Sequence, residues 1–139
     1  MKMDIVKIER VQRMFTKRLN HMRDLSYSER LSLLGISTLE HRRLYLDLVL
    51  LYKIIHGLCD ISLTDLGISV VSVHALRGYG WRLQCNAPKT SVCMYAFTCR
   101  MVHLWNMLPK EIWRSSLSSF KTKIDKLDLV GLRASSWLQ

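Results

Sequence analysis

Four residues have a spacing suited to metal chemistry. Cys85, Cys93, Cys99 and His103 follow the pattern C-x7-C-x5-C-x3-H. Three thiolates and one imidazole would complete a tetrahedral zinc site. Tyr95 and Phe97, which fall between the ligands, could then stack on unpaired bases. The same stretch has a plainer reading. Met94, Phe97, Met101, Leu104, Trp105 and Leu108 follow helical spacing, and a buried cysteine on such a helix acts as a small hydrophobe. The expectation is therefore no metal and no cofactor, with the Cys/His set kept as an alternative.

Catalytic sets are absent from the sequence. It has no glycine-rich phosphate loop, no nucleophile elbow and no paired-histidine zinc motif. The 11 Asp and Glu are scattered, whereas metal-dependent phosphoryl chemistry needs clustered carboxylates. His21, His41, His56 and His74 stand alone. What the chain has in excess is cationic side chains: 21 Lys and Arg give a net charge of +10 and a pI near 9.8. That bias points to a polyanionic partner, nucleic acid before an anionic membrane surface. A basic face that packs on an acidic domain is the other reading. Residues 1–43 hold ten of these cations against five acids.

The cations must be carried by helices. Ile5, Ile8, Val11, Phe15 and Leu19 recur at three- and four-residue intervals, predicting an amphipathic helix with its apolar stripe at the core edge. Lys7, Arg10, Arg13, Lys17 and Arg18 lie largely off that stripe, with Glu9 spaced to pair with Arg13. Ser26-x-x-Glu29 predicts a capping box opening a short helix that runs to Gly35. Ser37-x-x-Glu40 predicts a second, opening a central helix over 38–56 that Gly57 ends. Between Leu44 and Ile55 its only charges are Asp47 and Lys53, so it is buried on several sides. Its apolar run is shorter than the roughly 20 residues of a membrane span. Arg42 and Arg43 sit in its first turns, where the helix dipole disfavours cations, which suggests an anionic partner for them.

Beyond Gly57 the pattern loosens. Ser62 could cap a turn, and Ile68 to Ala75 and Trp81 to Cys85 alternate as short strands around a turn at Leu76 to Gly80. Helical spacing returns over Val92 to Leu108 and stops at Pro109. A further turn carries Trp113, and a last helix carries Phe120, Ile124 and Leu127. Leu48, Tyr52, Phe97, Trp105 and Leu108 are the expected core, with Trp81 and Trp113 as further anchors. The fold class is thus mainly α: a single small domain over 1–139 with about five helices and a short β-hairpin in the middle. Residues 1–57 form a basic helical half, 58–92 the irregular or hairpin segment, 93–130 the C-terminal helices and 131–139 a frayed tail. At 49% hydrophobic residues wholesale disorder is excluded. Four cysteines without a secretory signal predict reduced thiols and an intracellular chain, nuclear or cytoplasmic, with no membrane partner.

Taken in order, the segments resemble a known family. Asp4-Ile5, Ile8-Glu9-x-Val11-Gln12-Arg13-x-Phe15-Thr16-Lys17, Leu25-Ser26-Tyr27-x-Glu29-Arg30-Leu31, Leu34-Gly35-Ile36 and Leu39-Glu40-x-Arg42-Arg43 are similar to the segment that follows the polymerase core of non-LTR (LINE-type) retrotransposon reverse transcriptases. Asp47-Leu48, Tyr52-Lys53-Ile54, His56-Gly57, Arg77-Gly78, Phe97, Arg100, Leu104-Trp105-Asn106-x-Leu108-Pro109 and Ser119-Phe120-Lys121 continue the resemblance to about residue 127. The resemblance implies a truncated post-polymerase tail. The catalytic aspartates of the parent RNA-directed DNA polymerase and its endonuclease lie upstream, so this chain would not be an enzyme by itself. It implies RNA or an RNA–DNA hybrid as partner, and the upstream polymerase domain when present. Arg10, Arg13, Lys17, Arg18, Arg42, Arg43, Arg77 and Arg100 are the candidate contacts. Arg30 and Arg100 could equally be buried partners of helix ends. A structural tail packed on a polymerase thumb is the second expectation. A zinc-dependent module is the third, because the Cys/His spacing also resembles CCCH zinc fingers that bind single-stranded RNA; the family pattern, however, asks for no ligands at Cys93, Cys99 and His103.

Overall fold

The structure, a computed structural model, describes residues 2–71, 82–86 and 96–135. Seven helices and one two-stranded sheet occur among the described residues. In chain order they are α1 (Lys2–Lys17), α2 (Tyr27–Leu34), α3 (Leu39–Ile55), β1 (Ile68–Val70), β2 (Leu83–Cys85), α4 (Phe97–Met107), α5 (Lys110–Trp113), α6 (Leu117–Asp125) and α7 (Leu129–Ser135). The fold is mainly helical, as the patterning predicts. No helix of the described residues is long and apolar enough to cross a membrane. The chain falls into two compact units, Met1–Leu44 and Tyr45–Gln139.

In the first unit, local capping sets the helix limits. The Ser26 hydroxyl accepts the Glu29 N–H, and the Glu29 carboxylate accepts the Ser26 N–H at 2.7 Å. Gly35 ends α2 at φ +62°, a left-handed conformation that costs glycine little. The start of α3 differs from expectation. Thr38, one residue after Ser37, supplies the capping oxygen, accepting the His41 N–H at 3.2 Å.

The larger surprise is α1, whose apolar stripe faces outward. Ile8, Val11 and Phe15 are exposed, while Thr16 is buried and Glu9 and Gln12 are half-buried. Of the expected stripe only Ile5 and Leu19, at its two ends, are half-buried, and the hydrogen bonds that hold the helix come from polar side chains. Gln12 donates to the Tyr27 hydroxyl and to the Ser37 carbonyl, each at 3.1 Å. Periodicity correctly indicates an amphipathic helix, but it does not say which face the rest of the chain covers.

In the second unit the core is built from the later turns of α3 and from the C-terminal helices. Leu48, Leu51, Tyr52, Met101, Leu104, Trp105, Leu108, Phe120, Ile124 and Leu129 are buried, and Phe97 is half-buried. Trp105 and Trp113 stack nearly parallel at 6.0 Å between ring centroids, and Tyr52 meets Phe120 at 4.4 Å. Polar side chains complete this core. The Tyr52 hydroxyl donates to the Ser115 carbonyl at 2.6 Å, and His56 Nε2 lies 3.2 Å from the Trp113 carbonyl.

The strands pair antiparallel, with Ile68 opposite Cys85 and Val70 opposite Leu83. The expected turn between them, Leu76 to Gly80, lies outside the described residues. Asn106 ties the sheet to α4: its amide donates to the Leu83 carbonyl at 2.8 Å and accepts the Leu83 N–H at 2.9 Å. An amide side chain carries both a donor and an acceptor, and so can pair with both polar groups of a strand residue. The C-terminal segment extends the helical part further than expected. Asp128 accepts the Gly131 N–H at 2.9 Å, and α7 runs to Ser135 with Leu129 fully buried.

Candidate nucleic-acid interface

The expected phosphate contacts separate by location. Lys7, Arg10, Arg13, Lys17 and Arg18 are all exposed along α1, and Arg42 and Arg43 are exposed in the first turns of α3. Arg77 lies outside the described residues. Arg100 does not belong with them: it is 5% exposed and its Nη2 donates to Asp47 Oδ2 at 2.6 Å. A guanidinium enclosed in this way is committed to a carboxylate and cannot reach a phosphate. Arg30 is buried as well. Its Nη1 donates to the Leu25 carbonyl at 2.6 Å, and its Nε to the Thr16 hydroxyl at 3.2 Å. Arg30 thereby holds α2 against the last turn of α1.

Four of these exposed cations, Arg10, Arg13, Lys17 and Arg18, line two concavities on the first unit. The larger is a groove of about 610 Å³ at the C-terminal end of α1, lined by Lys17, Arg18, Asn20, His21 and Arg23 among others. No carboxylate lines it. Its wall is shaped by a short loop in which His21 takes a left-handed conformation at φ +60°, one that histidine tolerates better than β-branched residues do. The smaller cleft, about 490 Å³, contains Arg10 and Arg13 but also Glu9 and Glu40. Its two cations are offset by two carboxylates. The first groove is thus the better anion receptor, and Arg23 is a member that helical periodicity could not find because it sits in the loop.

Arg13 has a second attachment. Its guanidinium lies over the Tyr27 ring at 4.6 Å from the centroid, a cation–π contact. Tyr27 donates its hydroxyl proton to Glu9. Burial, and then the adjacent Glu9 carboxylate, push its pKa up to about 12. Glu9 does not spend itself on an intrahelical pair with Arg13. Its other oxygen accepts the Leu39 N–H at 3.0 Å, a free donor at the start of α3 that the Thr38 hydroxyl leaves unmet.

Of the Cys/His set, Cys93 lies outside the described residues. The Cys85 and Cys99 sulfurs are 3.6 Å apart, both as free thiols. Cys99 is buried and His103 exposed on α4. Burial and the neighbouring Cys99 thiol raise Cys85 to about 11. Among the described residues no group of three His, Cys, Asp or Glu side chains is placed to hold a metal ion.

No family model, no curated protein and no solved structure matches the chain.

Proposed function

We propose that this chain is a non-catalytic, nucleic-acid-binding tail of a LINE-type reverse transcriptase, acting inside the cell on RNA or an RNA–DNA hybrid. The observation that carries the reading is the groove at the end of α1, where Lys17, Arg18 and Arg23 converge without a lining carboxylate. Lysine and arginine in such a groove neutralise phosphates and release condensed counterions, which gives affinity without reading sequence. Arg42 and Arg43 are further exposed cations, on another helix of the same unit. An A-form duplex suits this chemistry because it is recognised through shape, phosphate and 2′-hydroxyl contacts. In this reading Arg100, Arg30 and Glu9 hold the scaffold, and polymerisation belongs to an upstream domain.

Fluorescence anisotropy with a labelled RNA–DNA hybrid tests it. The triple variant Lys17→Ala/Arg18→Ala/Arg23→Ala should bind about tenfold or more weakly with an unchanged circular dichroism spectrum. Equal affinity would remove the groove from the function. A purely structural tail is the second reading, favoured by the exposed apolar side chains of α1.

A further inference from the structure

Two thiols of the second unit meet where secondary structure fixes the position of both. Cys85 is the last residue of β2 and Cys99 the third of α4. Their sulfurs lie 3.6 Å apart, although fourteen positions separate them in sequence. Along β2 the exposure alternates: Leu83 is buried, Gln84 exposed and Cys85 half-buried, so Leu83 and Cys85 share one face of the strand. The Asn106 amide pairs with both polar groups of Leu83. That anchor lies two residues before Cys85 on the strand and about two turns after Cys99 on the helix. Strand and helix are thus tied together beside the thiols, which separate only if that pairing breaks.

A disulfide holds its sulfurs about 2.05 Å apart. Rotation about the Cα–Cβ bonds of two free cysteines is the motion that closes the remaining gap. We propose that Cys85 and Cys99 are a reversible dithiol–disulfide pair, which staples β2 to α4 when a low-molecular-weight disulfide such as oxidised glutathione accumulates. Access sets the order of events. Cys85 is half-buried and can be reached, whereas Cys99 is 7% exposed. The Cys85 thiolate attacks one glutathione sulfur, the glutathione S–S bond breaks, and the departing thiolate takes up the proton that Cys85 gave up. Cys99 then loses its proton, attacks Cys85 Sγ and displaces the second glutathione, which is protonated in turn. Two protein thiols are oxidised and one glutathione disulfide is reduced to two thiols. With Cys85 raised to about 11, little thiolate is present at neutral pH and the first step is slow. The pair therefore follows sustained oxidation and stays a dithiol in a reducing cell. Once formed, the bond restricts the unfolded chain and stabilises the second unit.

The test uses the full chain, reduced, freed of reductant and held for hours at pH 8 with oxidised glutathione in excess. Peptide mapping should find Cys85 joined to Cys99, with two hydrogens lost and no glutathione retained. Cys99→Ala should instead trap glutathione on Cys85, and Cys85→Ser should leave Cys99 unmodified. All four tryptophans lie in residues 45–139, so their fluorescence reports the second unit. Its urea midpoint should rise by about 1 M on oxidation, fall back with dithiothreitol, and stay constant in Cys85→Ser. Both thiols remaining free in wild type would reduce them to small hydrophobes in contact and overturn the proposal. So would pairing of either one with Cys59 or Cys93, or a midpoint that the bond does not raise. Stoichiometric zinc held by the reduced chain and lost in Cys85→Ser would assign the pair to a metal and overturn it as well.

Discussion

Glu9 accepts the backbone N–H of Leu39 at 3.0 Å across thirty positions of sequence. The start of α3 is thus capped by a side chain of α1 as well as by its own Thr38. Together with the hydrogen bond from Tyr27 to the same carboxylate, this joins all three helices of the first unit through one residue. Charge-assisted hydrogen bonds of this kind contribute about 1.5–3 kcal/mol each, less where water reaches them. Glu9→Ala should therefore lower stability by about 2 kcal/mol in urea denaturation, and Glu9→Gln by about half of that. Unchanged midpoints would mean that water replaces Glu9 at no cost.

Tyr27 gives that arrangement a pH signature. Its folded pKa of about 12 lies above the ordinary value of 10.0, so the folded state holds its proton more tightly. The associated stability is fully present below pH 10 and is lost as pH rises toward 12. Spectroscopic titration of tyrosinate should show a late-ionising group that Tyr27→Phe removes. That variant should also lose less stability across the same interval. A titration in which Tyr27→Phe removes an early-ionising group would contradict the geometry.

Asp47 and Arg100 are the corresponding joint of the second unit. Arg100 is buried and Asp47 half-buried, so removing Asp47 weakens the pairing of a buried guanidinium, at about 2 kcal/mol, less than for a fully enclosed pair. Asp47→Ala should produce a loss of that order. Replacing both, as Asp47→Leu/Arg100→Met, should cost clearly less than the single change. If the double variant were as unstable as the sum of two single ones, the pair would not be the unit that matters.

The Cys85 thiol, raised to about 11, should resist alkylation. At pH 8 about a thousandth of it is thiolate, against roughly a quarter for an ordinary cysteine. Peptide mapping after brief iodoacetamide treatment should find Cys85 largely unmodified in the folded protein and modified in urea. Rapid labelling without denaturant would contradict the burial that sets its pKa.

The features legible in the sequence are those that neighbouring residues decide. Ser26, Glu29 and Gly35 delimit α2 within ten positions, and Gly57 ends α3 in the left-handed conformation at φ +65°. The apolar spacing around Trp105 gave the helix and its buried face. What was not legible depends on contacts between distant segments. Nothing local says that Glu9 reaches Leu39, that Asn106 mimics a strand beside Leu83, or that Arg100 meets Asp47 instead of solvent. The orientation of α1 is the sharpest case. Its stripe of Ile8, Val11 and Phe15 reads as a core edge, yet the chain covers the neighbouring side through Glu9, Gln12 and Thr16, and only Ile5 and Leu19 of the stripe are half-buried. Arg23 escaped for the converse reason, being a loop residue placed by the chain reversal around His21.

The salt dependence of RNA–DNA hybrid binding tests the central claim most directly. Each phosphate neutralised contributes about 0.7–0.9 to the slope of log K against log salt. Wild-type binding should weaken steeply with salt, and Lys17→Ala/Arg18→Ala/Arg23→Ala should reduce the slope by about 2 to 3. Arg10→Ala/Arg13→Ala, whose cleft already holds Glu9 and Glu40, should change it less. A flat wild-type profile, or an identical slope in the groove variant with its fold intact, would contradict phosphate binding at the end of α1.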